Sequence, residues 1–246
     1  MAEAATTLPA PMTGKMDSSF LWRRLHSLSG ILPIGAYLVY HLYENLASLR
    51  GPAAYDEMVH KVNTMLPPLY FHGLELTIIV PILFHSLYGV YIAWSGQPNV
   101  NKYAYGTNWA YWAQRATGYV AFAYIFLHVF VLRGMVTLGG NHLARHALAA
   151  GQMDLVTYND VAAHLGNPAF INVQSWMAGD WIFVAYLLGT MAAIYHFCNG
   201  LNGFCWTWGI AVGRVAQKRV RLLSWALFVV LAGMTLNMLF QLRFGT

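Results

Sequence analysis

Residues 178–207 read AGDWIFVAYLLGTMAAIYHFCNGLNGFCWT, with Asp180 the only charged side chain. An α-helix crosses hydrocarbon with about 20 residues at 1.5 Å each, and this stretch exceeds that length. Lipid offers no partner to a free backbone amide, so a segment this apolar must be helical if it enters the bilayer. Four other stretches read the same way, at about 21–45, 70–95, 110–134 and 222–242. The expected fold is an all-α membrane protein with five transmembrane helices, spans I to V in chain order. Spans I to IV form a four-helix bundle and V lies at its periphery. Pro33 and Pro81 are expected to kink spans I and II locally rather than end them.

Composition agrees. Over the 246 residues, 58% are hydrophobic and only 9% charged, outside the range of soluble domains. Aromatics reach 15% and gather near the ends of the apolar runs, where amphipathic rings favour the headgroup region. The formal charge of +5 is spread over short loops and forms no patch suited to nucleic acid. Cys198 and Cys205 are too few and too far from any histidine pair for a zinc or iron–sulfur ligand set, and read as small packing residues of span IV. Residues 1–20 carry no apolar core of signal-peptide length and are expected to be a cytoplasmic polar tail, with 21–246 as the membrane domain.

Five crossings put the termini on opposite sides, and the cations say which is inside. Lys15, Arg23, Arg24, Lys102, Arg115, Arg214, Lys218, Arg219 and Arg221 fall on the amino-terminal side. Arg50, Lys61, Arg133, Arg145 and Arg243 fall on the other, together with most of the acids. The expected location is the cytoplasmic membrane, with the amino terminus cytoplasmic and the carboxy terminus outside. Connections 46–69 and 135–177 are long and both lie on the outer face, with room for an interfacial helix such as Ala53–Met65.

Depth sorts the ten histidines. His60, His142, His146 and His164 lie in outer loops and read as solvated surface residues. His26 and His72 stand at span ends. His41, His85, His128 and His196 each lie inside a different span, where an ionisable group is costly unless a metal, ligand or partner compensates it. His41 is roughly 30 Å and His128 roughly 26 Å from the cytoplasmic end, whereas His85 and His196 are each roughly 15 Å from it. Two imidazoles, one on each face of a haem, give a six-coordinate iron with no open position, a centre suited to electron transfer. The depths therefore pair His85 with His196 as an inner haem and His41 with His128 as an outer one. No C-x-x-C-H occurs, so haem b without thioether bonds is expected. A rival scheme places both ligands on one helix, His26 with His41 and His72 with His85, but leaves His128 and His196 unexplained. Gly30 precedes His41 and Gly118 precedes His128 at nearly equal offsets, while Gly89 and Gly200 follow His85 and His196 at plus four. These glycines are expected to let a flat macrocycle lie close to the backbone.

The string Arg23-Arg24-Leu25-His26-Ser27-Leu28, then Gly30, Pro33, Gly35 and His41-Leu42, resembles the start of the di-haem cytochrome b subunit of bacterial succinate:menaquinone oxidoreductases. The resemblance runs on through Leu66-Pro67, Pro81, His85 with Tyr88-Gly89-Val90-Tyr91-Ile92-Ala93, Asn108-Trp109, and Gln114-Arg115 with Thr117-Gly118. It closes with His128-Val129, His196-Phe197, Asn199-Gly200-Leu201 and Thr207-Trp208-Gly209-Ile210. It implies the membrane anchor of respiratory complex II, whose flavoprotein subunit carries FAD and whose iron–sulfur subunit carries the clusters, both on the cytoplasmic face. The four axial ligands of the resembled family fall on His41, His85, His128 and His196, and electrons pass through two haems to menaquinone. The subunit takes part in the enzyme as its quinone-reactive part, with no substrate chemistry of its own. In fumarate reductases of that family a glutamate two residues before the last ligand serves a proton path; here the position is Ile194.

Glu75, and after it Glu44, are candidates for proton exchange with quinone near the outer haem. Arg24, His26, Ser27 and Arg115 are candidates for propionate or quinone contacts at the inner end, the arginines because a planar guanidinium grips a carboxylate through two donors. Two other readings remain open: a haem-bearing anchor of another quinone-linked enzyme, such as a hydrogenase or formate dehydrogenase, and a haem-free anchor or transporter.

Overall fold

The computed structural model describes residues 18–97, 100–130 and 169–245. The amino-terminal tail, the far end of span III and most of connection 135–177 lie outside the described residues. Helices α1 (Ser18–Ile31) and α2 (Pro33–Asn45) cover the stretch expected as span I, and a 3-10 turn over Leu46–Arg50 leads to α3 (Pro52–Thr64). Then come α4 (Pro68–Ser95), α5 (Gly106–His128), α6 (Ala169–Met177), α7 (Asp180–Thr207) and α8 (Arg214–Phe244). No strand occurs among the described residues.

The two expected proline effects differ. Pro33 lacks an N–H and divides span I at Leu32 into two helices, while Leu32 N–H still donates to Leu28 O (3.0 Å) and Ala36 N–H to Leu32 O (3.3 Å). Pro81 sits inside α4 without interrupting it. A short helix is present where one was expected at 53–65, as α3.

Three of the described helices are long and apolar enough to cross a membrane: Pro68–Ser95, Asp180–Thr207 and Arg214–Phe244. The break at Pro33 leaves α1 and α2 with 14 and 13 residues. Helix α5 opens on a polar turn and carries Gln114, Arg115 and Thr117. Large apolar side chains stand outward on the long helices, among them Leu87 at 63% exposure, Leu222 at 70% and Leu223 at 68%. Such surfaces are stable against lipid tails and costly in water.

Helix α7 runs through the middle of the contacts, with α5 along one side and α8 along the other, while α1 and α2 pack on α4. The apolar core gathers around α7 and α8, where Ile194, Leu239 and Leu231 are buried with Leu42 of α2. Cys198 is buried there as a free thiol and Cys205 is half-buried. At the far end, Arg243 pairs with Asp180 and donates to Met177 O (2.6 Å), tying the end of α8 to the start of α7. Outside the bundle, the buried Asp56 of α3 accepts a hydrogen bond from Phe170 N–H (2.7 Å) at the start of α6. Burial raises the Asp56 carboxyl above its usual range, against the opposing pull of that backbone donor. Burial likewise raises the neighbouring Tyr55 hydroxyl, with Asp56 and Glu44 adding to the shift.

Candidate haem-binding site

Two levels of histidine stand within the helices. At the level nearer the start of α1, the His85 and His196 rings are neighbours, with centroids 6.1 Å apart and planes perpendicular at 89°. His85 Nδ1 lies 2.9 Å from the backbone oxygen of His26, and His196 Nδ1 lies 2.9 Å from that of Gln114. A carbonyl can only accept, so each Nδ1 carries the proton and each neutral ring keeps the Nε2 lone pair free. The acceptor carbonyl in each case lies four residues before a glycine on which the same ring rests. A Cβ at Gly30 would collide with the His85 ring, and one at Gly118 would come within 3.0 Å of His196 Cε1. Helices α1 with α4, and α5 with α7, thus hold their histidines by the same device.

The repeat extends one turn further. A Cβ at Gly89 would meet the His26 ring at 3.0 Å, and one at Gly200 would meet Gln114 Nε2 at 3.3 Å. His26 stacks on His85 with centroids 4.0 Å apart. Gln114, in the matching place, donates through Nε2 to His196 O (3.0 Å) and accepts through Oε1 from Asn199 Nδ2 (2.8 Å). The glycines therefore make room for side chains of the facing helix.

At the other level the His41 and His128 rings are 5.9 Å apart with planes at 72°. Tyr37 stacks on His41 at 5.3 Å and Tyr124 lies 5.6 Å from His128, each four residues before its histidine on the same helix face. Tyr186 of α7 meets the His128 ring edge-on at 5.6 Å. Asn45 Nδ2 donates to His41 O (2.7 Å), and Tyr55 donates to Asn45 Oδ1 (2.9 Å). Glu44 Oε2 is 3.5 Å from His41 Nδ1. Two polar atoms here are buried without a hydrogen-bond partner, His128 Nδ1 and Glu44 Oε1.

These pairs fit a metal that brings most of its own ligands. Among the described residues no cluster of three or more His, Cys, Asp and Glu side chains is close enough to hold a metal ion. A metal–imidazole bond is about 2 Å long, so one ion between two coaxial rings sets their centroids about 6 Å apart. Both pairs meet that distance. An Nδ1–H held by a backbone oxygen, as in His85 and His196, fixes the tautomer and orientation of a ligating imidazole.

Residues 96–236 match the family described as succinate dehydrogenase/fumarate reductase transmembrane subunit. The chain is also 32% identical over 230 residues to the succinate dehydrogenase cytochrome b558 subunit of Bacillus subtilis (strain 168), covering 93% of this chain and 98% of that one. The chain belongs to this family.

The remaining candidates of this succinate dehydrogenase/fumarate reductase subunit are distributed as follows. Arg24 lies over the Phe20 and Trp208 rings at 4.9 and 5.1 Å, and Trp208 Nε1 donates to Ser27 Oγ (3.0 Å). Arg24, Ser27 and Trp208 just beyond α7 thus form one group, while the His26 ring turns to His85 and Tyr88. Arg115 is apart from it, lying over Tyr111 at 4.4 Å and against Gly96, whose missing Cβ leaves it room. Glu44 stands beside His41, while Glu75 pairs with His72 Nδ1 at 2.9 Å on α4. Ile194 is fully buried in the apolar core. Sequence reasoning assigned no site role to Gln114, Tyr55, Tyr124 or Tyr186. The Tyr-to-His spacing of four, present in both span I and span III, was the available signal for Tyr37 and Tyr124.

Proposed function

We propose that this chain is the membrane-anchoring cytochrome b of a succinate:quinone oxidoreductase, holding an inner haem b between His85 and His196 and an outer haem b between His41 and His128. One observation carries the reading: four histidines from four segments of the chain stand as two neighbouring pairs with ring centroids 6.1 and 5.9 Å apart. Family membership supports it. When bound, the haems supply reversible one-electron centres between an iron–sulfur partner and menaquinone.

The protein's own part is to orient and insulate. The carbonyls of residues 26 and 114 keep the proton on Nδ1 of His85 and His196, leaving Nε2 directed to metal. Tyr37, Tyr124 and Tyr186 wall the outer pair against lipid and water. Arg24 and Arg115 offer guanidinium donors to propionates or to a quinone head at the inner end, with His26 and Ser27 as further candidate contacts there. Of the two outer carboxylates, Glu75, and after it Glu44, is the one that exchanges protons with quinone. In this reading the chain crosses the cytoplasmic membrane five times with its amino terminus inside, where the flavoprotein and iron–sulfur subunits dock.

The test is purification through a tag on this chain. The reading expects a flavin-bearing subunit and an iron–sulfur subunit to copurify and succinate to reduce the b-type absorption band. Copurification of a hydrogenase or formate dehydrogenase in their place, or a chain free of porphyrin, contradicts it.

A further inference from the structure

Three hydrogen bonds from side-chain amides lace α5 to α7 beside His196. Asn199 Nδ2 donates to Ala110 O (3.1 Å) and to Gln114 Oε1 (2.8 Å), and Gln114 Nε2 donates to His196 O (3.0 Å). The carbonyls at the two ends can only accept, which fixes the direction of both amides. Asn199 must present Nδ2 to Ala110, so Gln114 presents Oε1 to Asn199 and turns Nε2 to the His196 carbonyl. Nε2 also lies 3.2 Å from His196 Nδ1, but that nitrogen directs its own proton to Gln114 O (2.9 Å), so two donors meet there and no bond forms. Gln114 therefore grips His196 twice, through its carbonyl on the ring and through its side chain on the backbone. Asn199, three residues after His196 on the same helix face, braces that side chain.

The His85 side lacks this brace. There the His26 carbonyl is shared between His85 Nδ1–H (2.9 Å) and the Ser29 hydroxyl (2.9 Å), and the His26 side chain stacks on the ring with its Nδ1 unpartnered among the described residues. A hydrogen bond from the far nitrogen to a carbonyl makes an imidazole a stronger donor to metal. A stronger donor favours the oxidised iron and lowers its potential. Resting on the haem reading, we propose that Gln114 and Asn199 are positioning residues for His196. They hold α5 and α7 in the register that keeps Gln114 O on Nδ1–H, make His196 the stronger donor of the inner pair, and so hold down the potential of the inner centre.

The test is a redox titration of the complete purified complex, following the two b-type bands separately in Gln114→Leu, Asn199→Ala and the double variant. Gln114→Leu is expected to change the ratio of oxidised to reduced inner haem at fixed poise about tenfold, the lower end of the effect of losing an outer-shell partner. For a one-electron couple that is a rise of about 59 mV in the inner midpoint. Asn199→Ala should shift it the same way by less, and the double variant no further than Gln114→Leu, because both side chains act through one chain of bonds. An outer midpoint unchanged throughout certifies the fold. If Gln114→Leu loses the inner haem and keeps the outer one, Asn199→Ala, which leaves the Gln114 Nε2 bond in place, decides in the same terms. An inner midpoint unmoved or lowered in both single variants, shifts that add in the double variant, or equal shifts of both centres would overturn the proposal. A parent complex free of porphyrin would overturn the haem reading and this inference with it, and is told apart because it precedes any substitution.

Discussion

Tyr55 donates a hydrogen bond to Asn45 Oδ1 across 2.9 Å, tying a helix outside the bundle to the turn that follows His41. Asn45 in turn holds the His41 carbonyl. Removing the hydroxyl in Tyr55→Phe leaves the ring packed and the Asn45 oxygen unpaired, at a cost of about 1 kcal/mol. The expected outcome is a shift of the outer haem's midpoint potential and spectrum with the inner haem unchanged, read by redox titration. An equal shift of both centres contradicts a local role.

Asp56 stands at the start of α6 as an acceptor for Phe170 N–H. Asp56→Ala is expected to lower stability by about 1 kcal/mol, as loss of a helix cap does, seen as a lower melting temperature of the solubilised complex. Because burial holds the folded-state pKa above its unfolded value, the stabilising contribution is fully present below the unfolded value and declines as pH rises through the folded one. Asp56→Asn keeps an acceptor and removes the titration, so its melting temperature should respond less to pH across that window.

Gly30 and Gly118 leave room for the His85 and His196 rings. Alanine at either position must displace the ring, an overpacking cost of about 1–3 kcal/mol. The inner haem should be lost or its spectrum altered while the outer haem remains. Gly73→Ala, where an added Cβ meets nothing within 4 Å, should leave both haems intact.

Glu75 and Glu44 are separable by their neighbours. Glu75 pairs with His72 on α4, whereas Glu44 lies 3.5 Å from His41 Nδ1. Glu75→Gln should slow succinate-driven menaquinone reduction about a hundred-fold, the scale of a lost proton donor, without affecting reduction of a soluble acceptor by the partner subunits. Glu44→Gln should instead move the outer haem potential. Normal quinone kinetics in both variants would remove the carboxylates from the reaction.

That His85 lies near His196 and His41 near His128 could be read from depth alone, which needs only apolar surroundings and a rise of 1.5 Å per residue. The role of the glycines could not. Gly30 was grouped with His41 on its own helix, yet it faces His85 on another. Hydropathy gives depth but not the rotation of one helix against its neighbour, and close approach depends on both. Tyr186 escaped notice for a related reason: aromatic residues are common in membrane helices, and only packing shows which one meets His128. Pro33 differs from expectation: it does not merely kink one continuous helix, because α1 ends at Ile31 and α2 begins at Pro33, whereas Pro81 leaves α4 unbroken.

The pairing itself is tested most directly by counting haems per chain in single variants of His41, His85, His128 and His196, with His26 and His72 as controls. The account predicts two b-type haems in the parent. His85 and His196 variants should lose one and the same centre, His41 and His128 variants the other, and both controls should keep two. Loss of a centre on replacing His26 or His72, with His128 and His196 dispensable, would contradict it.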